Sequence, residues 1–273
     1  MRIFFTYFAA AKIGSVKYLQ MYEGLESFSK EFFLTAGECD AEERMPLTRI
    51  AERIIEVATD HANALGIGYS TLIKYNIGWV LGRVSIQMDR YPGINETYTL
   101  TTWIESINRR FSERNFRITD AEGRVLGYAR TVWSAIDFGN RNGADLGLLD
   151  LDGLPEPGLP CPIDKTPRIP ALPADARSTD YTIRYCDLDF NRHVNTIRYL
   201  ELLMDQWDLA HYDAMQPARL DLLFHHECRF GETIAVRVAD MPGGTSDCEL
   251  TREGVRVLGA RFTWVRRPGE RGR

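Results

Sequence analysis

The chain has 273 residues, 44% of them hydrophobic and 26% charged, with a net charge of −5. That composition excludes a disordered or fibrous chain, and a mildly acidic molecule has no overall field to attract nucleic acid, so no nucleic-acid partner is expected. No apolar run reaches the roughly 20 residues that a membrane-spanning helix needs, and Cys39, Cys161, Cys186, Cys228 and Cys248 are scattered without a C-x-x-C pair, which predicts neither a disulfide framework nor a zinc cluster and suits a reducing cytoplasm.

Residues 1–26 read as an N-terminal extension. Arg2, a short apolar stretch and small residues give its start a faint signal-peptide character, which Lys12 interrupts early. Residues 27–139 read as a first folded unit, opening with a Phe-rich strand over 27–36. Met45-Pro46-Leu47-Thr48 then starts a helix, with the proline near the first turn, where its missing N–H costs little. Ile50, Ile54, Val57, Ala58, Ala62 and Leu65 recur at helical spacing, and Gly66 and Gly68 end the element. Strands are predicted over 77–88, 96–107, 114–119 and 125–136, separated by turn residues such as Pro92-Gly93 and Asn108-Arg109-Arg110.

Residues 140–176 hold seven of the twelve prolines. Such density denies both ladder hydrogen bonds and helix, so an extended strap between two units is expected. The first plan then repeats over 177–267, ahead of a tail at 268–273. A strand is predicted over 181–186, a helix over 194–209 with Ile197, Leu200, Met204 and Trp207 at core spacing, and strands over 220–228, 233–239, 248–251 and 255–265. Arg124-Val125-Leu126-Gly127 ahead of Trp133 is echoed by Arg256-Val257-Leu258-Gly259 ahead of Trp264. A strand, a helix and four strands occurring twice predict an α+β fold, an antiparallel sheet with a buried helix, in tandem.

The chemistry concentrates in Asp187-Leu188-Asp189-Phe190-Asn191-Arg192-His193-Val194-Asn195, between a predicted strand and a predicted helix. If this segment is extended, alternate side chains point the same way, and Asp189, Asn191 and His193 converge beside the unpaired N–H groups of a helix start. An imidazole, a carboxylate, an amide and such donors suit acyl transfer, which must activate water and hold an oxyanion. Asp and Asn before a helix are also ordinary caps, and on the residues alone both readings stand.

That run, followed by Tyr199, closely resembles the D-x-N-x-H-V-N motif of plant and bacterial acyl-acyl carrier protein (ACP) thioesterases. His226-Glu227-Cys228 resembles the family's R-E-C strand end. Trp79-Val80-Leu81-Gly82-Arg83, Met88-Asp89-Arg90-Tyr91-Pro92, Thr102-Trp103 and Val132-Trp133 resemble its amino-terminal pattern. The resemblance runs over residues 27–266 and departs at Thr196, where many relatives have Asn, and at His226, where Arg is common.

The resemblance implies a tandem double hotdog, each half a curved antiparallel sheet wrapped around a long helix. It implies hydrolysis of a fatty acyl thioester, without metal or organic cofactor, on an acyl carrier protein bearing a 4'-phosphopantetheine-linked chain. Free fatty acid would be released and elongation ended. It carries catalytic roles to Asp189, Asn191, His193 and Glu227, leaving open whether water or Asp189 is the nucleophile. Cys228 falls on a cysteine once proposed as nucleophile in the family, and a buried packing role is preferred for it. The acyl slot is expected in the first half at Ile54, Trp79, Trp103 and Trp133. Carrier docking is expected at Arg109, Arg110, Arg114 and Arg117, or at Arg266, Arg267, Arg271 and Arg273. An acyl-CoA thioesterase, a non-catalytic acyl-binding protein and a hydratase or dehydratase are the rival readings on the same fold, and a homodimer is compatible with any of them.

Overall fold

The computed structural model describes residues 24–148, 154 and 160–267; the expected extension up to residue 23, the tail from residue 268 and Arg271 and Arg273 within it lie outside the described residues. The first half begins with β1 (Phe28–Phe33) and the long helix α1 (Leu47–Ala64), followed by the single turn α2 (Tyr69–Leu72). Strands β2 (Ile77–Met88), β3 (Thr97–Ile107), β4 (Phe111–Asp120) and β5 (Val125–Asp137) complete it. The second half runs β6 (Arg177–Thr182), α3 (Thr196–Met204), α4 (Leu209–Ala214), β7 (Met215–Phe224), β8 (Thr233–Met241), β9 (Thr245–Arg252) and β10 (Val255–Arg266).

All ten strands form one antiparallel sheet in the order β1-β3-β4-β5-β2-β7-β10-β9-β8-β6. Each half has the same internal order read outward from the centre, so the duplication is written in the topology. The halves join where β2 meets β7, from Arg83 opposite Leu223 to Gln87 opposite Arg219. Leu47, Ile50, Ala51, Ile54, Val57 and Ala58 bury one face of α1 against the inner side of the sheet, and one apolar core runs through both halves. The architecture is α+β, a double hotdog.

Helix α1 stops where the glycine predicts. Gly66 adopts φ 71°, its N–H donates to the Asn63 carbonyl (3.0 Å), and the Ile67 N–H donates to that of Ala62 (2.9 Å). This pairing satisfies two end carbonyls, and the left-handed residue it needs is most often glycine.

The second half departs from its sequence reading in three places. The strand expected over 181–186 lies at Arg177–Thr182, and Tyr185–Asp187 is a 3₁₀ turn. The cause is Asp187, whose carboxylate accepts the Arg184 N–H (2.7 Å) and curls the chain back. The helix expected over 194–209 ends at Met204, because Asp208 caps a separate helix by accepting the His211 N–H (2.9 Å). Strand β7 starts at Met215 despite Pro217. The proline lies beyond the β2–β7 ladder, opposite a bulge at Thr263/Trp264, so its missing N–H costs no central bond. At its other end β7 stops at Phe224, since the N–H groups of His225 and His226 both reach the Val257 carbonyl (2.9 and 3.1 Å). That kink turns Glu227 out of the sheet.

The proline-rich segment, where described, crosses the outer face of the sheet. Prolines offer carbonyls and no N–H, and arginines on the strands supply the donors. Arg130 on β5 reaches the Ile163 carbonyl (3.1 Å), Arg219 on β7 that of Asp164 (2.8 Å), Arg256 on β10 that of Ile169 (2.8 Å) and Arg237 on β8 that of Pro173 (2.6 Å). Glu105, Asp221 and Glu249 hold these guanidiniums in turn. Among the described residues no helix is long and apolar enough to cross a membrane, and all five cysteines are unpaired.

Candidate active site

The segment before α3 is a closed turn, not the extended run expected. Leu188 bridges Val194, the Asp189 N–H donates to the His193 carbonyl (2.8 Å), and Arg192 sits at φ 64°. Asp189 explains the fold of the turn: its Oδ1 accepts the N–H groups of Asn191 (2.8 Å) and His193 (3.2 Å). Buried Asp187 anchors the base, accepting from Tyr181 Oη (2.9 Å) and Arg198 Nε (2.8 Å). The turn is tied to the segment after β7 by the Val194 N–H, which donates to the Cys228 carbonyl (2.9 Å), and by a bridge from His193 to Arg229. This brings His193 Nε2 to 3.4 Å from Glu227 Oε2.

Asp189, Asn191, His193 and Glu227 therefore all line one cavity of about 910 Å³ despite the altered backbone, on its solvent-accessible side. The cavity runs into the first half between α1 and strands β2 and β5, with Ile55, Ala58 and Ala62 on one wall and Trp79, Gly82 and Trp133 on the other. Two expected slot residues are not part of it. Ile54 is 1% exposed and faces the core, so the next residue, Ile55, meets the cavity. Trp103 is buried on β3, one strand out from β4, whose Ser112 and Arg114 line the cavity.

The helix start contributes fewer free donors than expected. The N–H of Val194 is used as above, that of Asn195 donates to the Asp187 carbonyl (2.8 Å), and that of Ile197 to the capping oxygen of Asn195 (2.8 Å). Among the described residues the Asn191 side-chain amide has no hydrogen-bond partner. Cys228 is fully buried, is not part of the cavity wall, and its N–H donates to Tyr199 Oη (3.0 Å). Burial pushes its thiol pKa up, away from the thiolate a nucleophile needs.

The imidazole of His193 titrates below its ordinary range. Burial is the main cause, and the charges of Arg141 and Arg229 add to it against the opposing pull of Asp189. Arg141, in the turn after β5, pairs with Glu227 at the mouth. Sequence reading missed it because it falls at the start of the segment taken as a linker.

The expected docking cluster breaks up. Arg109 is exposed but clamped by Asp145 (2.6 Å), and Arg110 and Arg117 are exposed. Arg114 is 3% exposed, on the cavity wall, and donates to His61 Nδ1 (2.6 Å) and Thr102 Oγ1 (3.3 Å). Strand alternation turns it inward. Desolvation moves Arg114 down to about 9 and His61 down to about 4, the nearby guanidinium adding to the second shift. Arg266 is exposed, whereas Arg267 is largely buried, paired with Glu42.

The acyl-ACP thioesterase N-terminal domain family matches residues 25–146, and the corresponding C-terminal domain family matches residues 171–264. The chain is 22% identical over 247 residues to a chloroplastic acyl-[acyl-carrier-protein] hydrolase of Cuphea viscosissima, covering 85% of this chain and 59% of that protein. It is 24% identical over 220 residues to a chloroplastic oleoyl-acyl carrier protein thioesterase of Arabidopsis thaliana, covering 74% and 60%. The chain thus spans about three-fifths of these relatives' length. The crystal structure of an acyl-ACP thioesterase from Bacteroides thetaiotaomicron superposes with a TM-score of 0.83 at 28% identity, covering 88% of this chain and 98% of that one. The 12:0-ACP thioesterase from Umbellularia californica shares the fold, with a TM-score of 0.79 at 19% identity over 89% of this chain and 98% of that one.

Proposed function

The chain belongs to the acyl-ACP thioesterase family, and on that premise we propose that it hydrolyses the thioester of a fatty acyl chain carried by acyl carrier protein. One observation carries the reading: Asp189, Asn191, His193 and Glu227 gather at the mouth of a mainly apolar cavity. A chain buried in the cavity presents its carbonyl where these groups meet. Volumes of roughly 300–1,000 Å³ suit ligands of this size.

In the proposed reaction, water is the nucleophile. His193, kept neutral by its surroundings, takes a proton from the water as the oxygen attacks the carbonyl carbon. Glu227 orients the imidazole and balances the positive charge that it gains. The Asn191 amide donates to the carbonyl oxygen as it becomes anionic. Collapse breaks the carbon–sulfur bond, and the proton passes from His193 to the departing thiolate. Asp189, whose Oδ1 is committed to two backbone N–H groups, holds the turn in place and is not the nucleophile. Cys228 is packing beside the site.

The carrier would dock around the same mouth. Arg192 stands exposed on the turn and Arg229 lies beside it, and exposed Phe190 packs edge-on against Tyr69 at 5.8 Å. Cations with aromatic surface suit an acidic carrier and its phosphorylated arm. Unpaired cysteines suit a reducing, cytoplasmic setting. Steady-state hydrolysis of matched acyl-ACP and acyl-CoA substrates tests the reading. A kcat/KM at least about tenfold higher on the carrier protein, a 1.4 kcal/mol preference, is expected. Equal rates would mean that only the prosthetic arm is recognised, and no hydrolysis of either would overturn the activity.

A further inference from the structure

Resting on the site assigned above, we propose that Arg141, from the first half of the molecule, is the positioning residue that holds Glu227 against His193 in the second. The residue sits in a rigid turn. Its N–H donates to the Asp137 carbonyl (2.8 Å), the Asp137 N–H donates to the Asn142 carbonyl (2.9 Å), and Ile136 bridges Gly143. Asp137 Oδ1 accepts the N–H groups of Gly139 (2.7 Å) and Asn140 (3.1 Å). With φ at 62°, the backbone fixes where the side chain leaves the turn. None of these bonds uses the guanidinium, which extends to the cavity mouth and pairs there with Glu227 Oε2.

Glu227 needs such a partner. It stands just past the kink that ends β7, where Arg252 holds its carbonyl (3.1 Å) and the next residue bonds Val194 and Tyr199, but its side chain is about one-third exposed. An unheld carboxylate there samples several rotamers, each costing alignment with the imidazole. Arg141 Nη2 donates to Glu227 Oε2, and a rigid planar guanidinium sets the direction of that bond better than a flexible ammonium does. The same Oε2 faces both Arg141 and His193 Nε2.

Two consequences follow for His193. The groups facing it are Glu227 from the segment after β7, Arg141 from the turn after β5, Asp189 from its own turn and Arg229 across the bridge. Of these, Arg141 disfavours the protonated imidazole by its charge while holding the carboxylate that orients it. Arg141 thereby keeps the base neutral and aligned together. The site is incomplete in either half alone.

The test compares Arg141→Gln and Arg141→Lys in the full chain, with thermal melts to check folding, which the guanidinium-free turn bonds should preserve. Arg141→Gln should lower kcat by about tenfold to 100-fold with KM little changed. The pKa of His193, followed by NMR of the imidazole, should rise, and the acid limb of kcat/KM should move to higher pH with it. Arg141→Lys, which keeps the charge and loses the rigid guanidinium plane, should restore the pH limb and part of kcat. An Arg141→Gln variant with normal kcat and an unmoved His193 titration overturns the proposal, as does a loss confined to KM, which would assign Arg141 to gripping the carrier's arm. Glu227→Gln separates the two claims. If it is inactive while Arg141→Gln is normal, only the role of Arg141 fails; if it is fully active, the site assignment fails and this role with it.

Discussion

The two halves share one strand order, yet the space under the helix is empty in one and full in the other. In the first half, α1 runs 18 residues and offers Ala58 and Ala62 to the cavity, facing Gly82 and Trp133 on the strands. In the second, α3 has nine residues, and the chain then turns Trp207 inward. Its indole packs edge-on against Phe262 at 5.2 Å and Trp264 at 4.8 Å, with His211 against Trp264 at 4.4 Å. The two halves share one frame, and helix length together with side-chain volume makes one a container and the other a solid support. The solid half carries the turn with His193, which in the proposed role needs alignment within fractions of an ångström rather than room.

The sharpest way to break this division of labour is to disarm the second half. His193→Ala and Asn191→Ala should each lower kcat by about 100-fold to 10,000-fold, with circular dichroism and acyl binding near normal. In the proposed reaction the groups act on one transition state, so the double variant should be little worse than the worse single one. Near-normal turnover in both single variants would sink the assignment.

Acid should find the first half. His61 is buried, 1% exposed, with a folded pKa near 4 against an ordinary 6.5. The unfolded chain therefore binds the extra proton first. The stability that His61 contributes is complete above pH 6.5 and is lost as pH drops toward 4, about 3 kcal/mol in all. Urea melts at several pH values should follow this step, and His61→Gln, which keeps an acceptor for Arg114, should flatten it. An unchanged step in that variant would place the acid sensitivity elsewhere.

Chain-length preference should also belong to the first half. Ala58→Phe shortens the cavity and should cut kcat/KM for the longest substrates by about tenfold relative to short ones, in line with 1–3 kcal/mol per misfitting methylene. Trp207→Ala, which hollows the second half, should destabilise the fold and leave the chain-length profile alone. A shift in that profile would show that both halves read the chain. The smallest effect is expected for Cys228→Ala. A buried thiol that is not on the cavity wall should be replaceable with kcat within about threefold of normal, far from the 100-fold or more that loss of a nucleophile brings. Rates as low as those of His193→Ala in a folded protein would restore the thiolate mechanism.

Much was legible in the sequence because it is governed by near neighbours. The helical spacing from Ile50 to Leu65, the glycine that ends α1, the prolines of the strap and the motif around His193 all act over a few residues. Local pattern failed where a side chain bonded the backbone. Asp187 curled the end of a predicted strand, Asp208 divided a helix, and Asp189 closed a turn that had been read as extended. The motif still converged, since the closed turn and the kink at His225 and His226 bring its residues to the same mouth.

What only the tertiary structure decided are the choices between faces and between distant partners. Arg114 looks like a surface cation in the sequence, but the pleat points it at His61, 53 positions away. Ile55 rather than Ile54 meets the cavity because the position of the strands sets which stripe of α1 is left uncovered. Arg141 and Glu227 are 86 positions apart, and nothing near either announces the other. Periodicity encodes which residues can share a face; the joining of β2 to β7 determines what that face meets.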